Sequence, residues 1–250
     1  MKVATKTERP VKIPLGRHTL EGILAVPAGA VGIVLFAHGS GSGRFSPRNQ
    51  FVAKNLAEAG LGTLLIDLLA ELEAEDRDKV FDIELLAERL QAVADWLKQD
   101  PDTANLPVCL FGASTGAAAA LVAAARRPEI FVSVVSRGGR PDMVLDELSE
   151  VKAPTLLIVG AKDDLVVHLN KQALGFLQCP KKMVVIPGAT HLFPEPGALE
   201  EVSRLAREWF CSHLQPREFS EPAGGLEPKH RLADLEPMCW KASIRPEGRK

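Results

Sequence analysis

A short apolar run, Val108-Cys109-Leu110-Phe111, passes through Gly112-Ala113-Ser114-Thr115-Gly116 straight into Ala117-Ala118-Ala119-Ala120. No other stretch restricts the fold as tightly. The apolar run, with β-branched and aromatic members, suits a strand buried on both faces. The alanines suit a helix, which Pro128 must stop. A strand that turns into a helix through G-x-S-x-G is a nucleophile elbow, a turn so sharp that the serine hydroxyl projects above the sheet. Such a turn demands a strained backbone at Ser114, and Gly112 and Gly116 remove the side chains that would collide with it. By average glycine and serine usage the bare motif arises in a chain this long about one time in ten. Its strand-before, helix-after setting is what makes it specific.

The 250 residues suit one domain with a sizeable core, and 46% hydrophobic with 25% charged residues is ordinary globular composition. A formal net charge of -2 offers no electrostatic basis for nucleic acid or an anionic membrane as a partner. Cys109, Cys179, Cys211 and Cys239 are scattered, with no C-x-x-C, a usage that fits free thiols in a reducing compartment. The N-terminal residues are charged and lack an apolar signal region, and no apolar run reaches the ~18 residues of a membrane span. A cytoplasmic location is expected.

Along the chain, residues 11–14 and 18–26 predict an opening antiparallel hairpin. Apolar strands are expected at 32–37, 64–67, 131–135, 155–159 and 182–186, besides the elbow strand. Helices are expected after Asn49, which is placed to cap one running to about Gly60, at 83–98 from the spacing of Leu86, Leu90, Val93 and Leu97, and at 197–214. Strands alternating with helices, most strands apolar throughout, predict an α/β fold whose parallel sheet is covered on both faces. Only about a dozen residues separate the 136–140 loop from the next strand, which leaves no room for a large lid domain. The division expected is a domain at 1–214 and a Pro-, Gly- and charge-rich tail at 215–250.

Ligands of open parallel sheets bind at the carboxyl ends of the strands. Three such ends carry Ser114, Asp163 and His191, in the chain order of a hydrolase triad. His191 is the expected base for Ser114, and Asp163 the carboxylate that orients its imidazole. Asp164 competes with Asp163. For the oxyanion, the expected donors are the N–H of Thr115 and one from the loop after the 32–37 strand, at Ser40 or Gly39. His38 is read as shaping that loop rather than moving protons. The run Gly39-Ser40-Gly41-Ser42-Gly43, with Asp67 after the next strand, has a rival reading as a dinucleotide site, but its spacing is G-x-G-x-G. Arg44, Arg48, Arg137 and Arg140 fall on loops at the same end. They are either solvated or read an anionic substrate group, Arg44, Arg137 and Arg140 being the substrate-binding candidates. Phe45 and Phe193 flank the site as candidates for an apolar acyl pocket. No histidine spacing suggests a metal, and no cofactor is expected.

These residues resemble the α/β-hydrolase superfamily, and within it the small dienelactone-hydrolase-like branch. The likeness rests on residues 38–43, 112–116, 160–166 and 187–191. The 136–141 loop is similar to that of bacterial members, some of which occur fused to phosphoribosyltransferase domains. The resemblance implies an eight-stranded, mostly parallel sheet and hydrolase activity. Dienelactone hydrolases proper use a cysteine nucleophile where this chain has Ser114, so a general esterase or thioesterase acting on a small molecule is expected. An acyltransferase through the same acyl-enzyme, and a silent hydrolase fold that only binds, are the alternatives.

Overall fold

The computed structural model describes residues 7–214. The tail set apart at 215–250 lies outside the described residues. Strands β1 (Thr7–Leu15) and β2 (His18–Val26) form the expected hairpin, longer at its start than the sequence pattern indicated. They are followed by β3 (Ile33–Ala37), α1 (Pro47–Glu58), β4 (Gly62–Ile66), the short helices α2 (Glu71–Ala74) and α3 (Arg77–Val80), and α4 (Ile83–Leu97). The elbow strand is β5 (Val108–Ala113) and the helix after it is α5 (Thr115–Arg126). Then come β6 (Phe131–Arg137), a 3₁₀ segment (Pro141–Glu150), β7 (Thr155–Gly160), α6 (Asp164–Phe176), β8 (Lys181–Ile186) and α7 (Ala198–His213).

The eight strands form one sheet in the order β1-β2-β4-β3-β5-β6-β7-β8. Pairing is antiparallel for β1–β2 and β2–β4 and parallel from β4 across to β8. The order reverses at β3 and β5, so the crevice of such a sheet opens between the ends of these two strands. Both are buried at every position, which is why they read as unbroken apolar runs.

Helices cover both faces. On one, α4 and α5 pack with the 3₁₀ segment and α6 around Leu90, Val93, Leu121 and Leu148. On the other, α1 and α7 close over Phe36, Phe111 and Phe210. Leu90, Val93 and Leu97 of α4 are fully buried, and each contributes on the order of 2 kcal/mol. Helix α5 is buried at all its positions except Arg126, which alanine makes possible by letting neighbouring elements approach its backbone.

Three local expectations change. Helix α1 is capped by Ser46, whose hydroxyl accepts from Asn49 N–H, with Pro47 in its first turn, so Asn49 lies inside the helix rather than before it. Helix α6 occupies a stretch that the sequence pattern left unassigned. Cys109 and Cys179 are free thiols, but Cys211 is disulfide-bonded, against the expectation of free thiols throughout. Among the described residues no helix is long and apolar enough to cross a membrane.

Candidate active site

Ser114 stands between β5 and α5 with φ +51° and ψ −123°, a strained conformation for a residue with a side chain. Its neighbours explain how the strain is held. A Cβ at Gly112 would lie 2.4 Å from Ala117 Cα, and one at Gly116 would lie 2.3 Å from the carbonyl oxygens of Ala37 and His38. Both glycines are therefore required by space. The backbone around the serine is tied across to the next loop, by Ser114 N–H to Arg137 O at 3.3 Å and Arg140 N–H to Ser114 O at 3.2 Å.

His191 follows β8, and its Nδ1 lies 2.6 Å from Asp163 Oδ2, a short charge-assisted contact. Asp163 occupies the N-cap position of α6 but makes no capping hydrogen bond, so its carboxylate is left for the histidine. Asp164 is already in the first turn of that helix. The imidazole lies against Gly138, where a Cβ would be 3.5 Å from Nδ1 and Cε1. Gly138 follows Arg137, which is in register with Ala113, so the ring sits over the loop next to Ser114. No hydrogen bond joins the serine hydroxyl to the imidazole.

Two residues that the sequence pattern did not mark hold these loops. Glu195 Oε1 accepts from Thr190 N–H at 3.1 Å and from the Thr190 hydroxyl at 2.7 Å, bracing the residue before His191. Buried Asn170 donates from Nδ2 to Gly139 O at 2.9 Å, fixing the loop after β6. Neither is part of a sequence motif, because each acts through a backbone position that only the fold brings near.

Thr115 and Ser40 are adjacent, although not as two free donors. Ser40 N–H donates to Thr115 Oγ1 at 3.0 Å. His38 orders this loop, as expected: Leu68 N–H donates to its Nε2 at 3.0 Å, which leaves Nδ1 as the donor to Gly39 O at 2.9 Å. Burial lowers its pKa.

The arginines divide. Arg44 donates from Nη2 to Glu21 at 2.6 Å, from its backbone N–H to Asp67 at 2.6 Å, and pairs through Nη1 with Asp67. Arg44 thus occupies the acid of the rival dinucleotide reading, and with Glu21 and Asp67 it lines the cavity beside the loop after β3. Arg140 makes a two-pronged pair with Asp142 at 2.8 Å. Arg137 is buried, and its one side-chain hydrogen bond among the described residues goes to Asn49 Oδ1 at 3.3 Å. Burial and the nearby Arg48 charge bring its pKa down to about 10. The phenylalanines do not form the expected pocket. Phe193 is a core residue at 1% exposure with φ +56°, its ring 6.0 Å from the Arg137 guanidinium carbon. Phe45 is 64% exposed and lines a separate groove beside β1 and β2.

A cavity of about 590 Å³ opens beside the loop after β3, lined by Ser40, Thr115, His38, Asp67, Leu69 and Leu86 among others. Ser114, Asp163 and His191 are not in its lining.

The family described as "Alpha/beta hydrolase domain" matches residues 30–204. A Mycobacterium tuberculosis protein named "Putative phosphoribosyl transferase Rv0571c" is 55% identical over 208 residues, 83% of this chain and 47% of that protein. The chain thus spans about half the length of the curated relatives it matches. A solved structure of a dienelactone hydrolase from Anabaena variabilis is 56% identical, covers 84% of this chain and 99% of its own, and superposes with a TM-score of 0.82. Est1E from Butyrivibrio proteoclasticus, 17% identical, shares the fold over 82% of this chain and 98% of its own, with a TM-score of 0.71.

Proposed function

Since the chain belongs to the α/β-hydrolase family, in its dienelactone-hydrolase-like branch, we propose that it is a serine hydrolase cleaving a small ester or thioester through an acyl-enzyme on Ser114. The observation that carries this reading is the 2.6 Å Asp163–His191 contact, set over the loop beside a serine held at positive φ. His191 takes the Ser114 proton as Oγ attacks the carbonyl carbon, and Asp163 stabilises the imidazolium. The proton then passes to the departing alcohol or thiol, and water, activated by the same histidine, releases the acid. The serine–histidine hydrogen bond closes on substrate binding, as it does in many enzymes whose unliganded contacts are long. The tetrahedral oxyanion lies between Thr115 N–H, an unpaired first-turn donor of α5, and the Ser40–Thr115 contact. The neighbouring cavity takes one end of the substrate.

Phosphoribosyl transfer stands in the name of the Mycobacterium tuberculosis relative, of which this chain matches 47%, and is no part of the activity proposed for Ser114. A fluorophosphonate probe tests the hydrolase reading. It is expected to label the protein at Ser114, with labelling gone in Ser114→Ala. Folded protein that resists the probe and turns over no short ester or thioester would refute it. Product analysis with added alcohols distinguishes hydrolysis from acyl transfer, and free acid is the expected product.

A further inference from the structure

Four arginines stand at the rim of the sheet, and the structure neutralises only two of them. Arg44 and Arg140 have carboxylate partners within hydrogen-bonding distance. Among the described residues, Arg48 and Arg137 have none. Arg137 is 7% exposed, and its Nε and Nη1 are buried without a hydrogen-bond partner. Arg48 Nε is likewise buried and unpartnered. Arg137 Nη2 donates to Oδ1 of Asn49, the residue that follows Arg48, at 3.3 Å, which brings the two arginines to one corner of the fold.

Arg48 adds to the imbalance by its position. It lies in the first turn of α1, where the helix dipole is already positive, and no acidic residue shares that turn. Desolvated guanidinium nitrogens and a like-charged neighbour both raise the energy of this corner, and the first turn of α1 supplies no carboxylate to offset them. One oxyanion would satisfy both at once. The place is adjacent to the proposed chemistry. Arg137 O accepts from Ser114 N–H, Gly138 supports the His191 ring, and Phe193, two residues past that histidine, flanks the Arg137 guanidinium. Arg48, only partly buried, gives the approach from solvent.

We propose that Arg48 and Arg137, with the N-terminus of α1, form the receptor for an anionic group, a carboxylate or phosphate, carried by the substrate of the Ser114 site. The proposal rests on the serine-hydrolase reading for its substrate, although not for its anion. Both guanidinium groups hang on regular elements, β6 and α1, so the receptor is built in advance of binding.

The test compares kcat/KM for p-nitrophenyl hydrogen glutarate with that for its neutral methyl-capped counterpart, and for a phosphonate-tailed analogue. Wild type is expected to favour the anionic esters by about 10-fold or more. Arg48→Gln and Arg137→Met are each expected to bring the ratio to within about three-fold of unity, chiefly through KM. The stronger of the two anionic esters identifies the group. A wild-type ratio near one, or a ratio that survives both substitutions, overturns the proposal.

A second arm needs no turnover. In Ser114→Ala protein, inorganic phosphate is expected to raise the melting temperature, and Arg48→Gln in that background to abolish the rise. Phosphate stabilisation without any ester preference would mean a structural anion and would defeat the substrate assignment. If no ester is cleaved and the fluorophosphonate fails to label, the hydrolase reading falls alone, while the phosphate response still decides the receptor. Arg137→Met, which replaces a bare buried charge by an apolar chain, is expected to melt no lower than wild type in anion-free buffer. Should it fail to fold, Arg48→Gln, nearer the surface, carries the comparison.

Discussion

The Thr115 hydroxyl accepts a hydrogen bond from Ser40 N–H, which leaves its own proton undirected and next to the proposed oxyanion position. A hydroxyl polarised in this way is a donor to a developing negative charge. Thr115→Val, which keeps the shape, is expected to lower kcat about 100-fold with little change in KM, and Thr115→Ser to retain most of it. Faster turnover in the valine variant would mean that the hydroxyl competes for a Ser40 N–H needed by the substrate. A second residue-level contrast separates two neighbouring acids that sequence alone left open. Asp163→Asn is expected to cost about 10⁴-fold in kcat, because the imidazole loses the partner that sets its tautomer. Asp164→Asn, in the first turn of α6, is expected to stay near wild type. Comparable losses in the two variants would count against Asp163 as the orienting carboxylate.

At the level of elements, the site depends on loops held by single side chains, and His38 is the clearest. It links the loop after β3 to the one after β4, accepting from Leu68 N–H and donating to Gly39 O. Protonation would remove the lone pair that accepts, and burial already lowers its pKa below the ordinary 6.5. Between that lowered value and 6.5 the unfolded chain binds more protons than the folded one, so stability rises with pH across this window and falls as the pH drops through it. Thermal melts from roughly pH 7 to pH 5 should therefore show a steeper loss for wild type than for His38→Gln. Parallel slopes would rule out His38 as the titrating link. The braces at Glu195 and Asn170 belong to the same class of feature. They were not legible beforehand, since a carboxylate or amide bonded to a backbone atom leaves no pattern in the sequence.

Across the whole molecule, the sheet was largely legible because its central strands are continuous apolar runs that cannot be placed anywhere but inside. The elbow was legible because two glycines and a serine meet a steric demand that few other residues can meet. Helix α6 was not, since Leu165, near its start, is 66% exposed and blurs the helical period. The arginines illustrate the limit best. Nothing local tells Arg44, tied to an acid 23 residues away, from Arg137, which has none. Chain folding alone decides which charge is cancelled and which remains. The two margins of the sheet carry a last consequence. On β1, Val11 and Ile13 face inward while Pro10, Lys12 and Pro14 face solvent, and on β8 the exposed residues begin with Lys181 and Lys182. Imino acids withhold donors from any newcomer along one border, and ammonium groups crowd the start of the other. Growth of this ribbon by lateral recruitment of a foreign or sister strand is thereby discouraged at both limits.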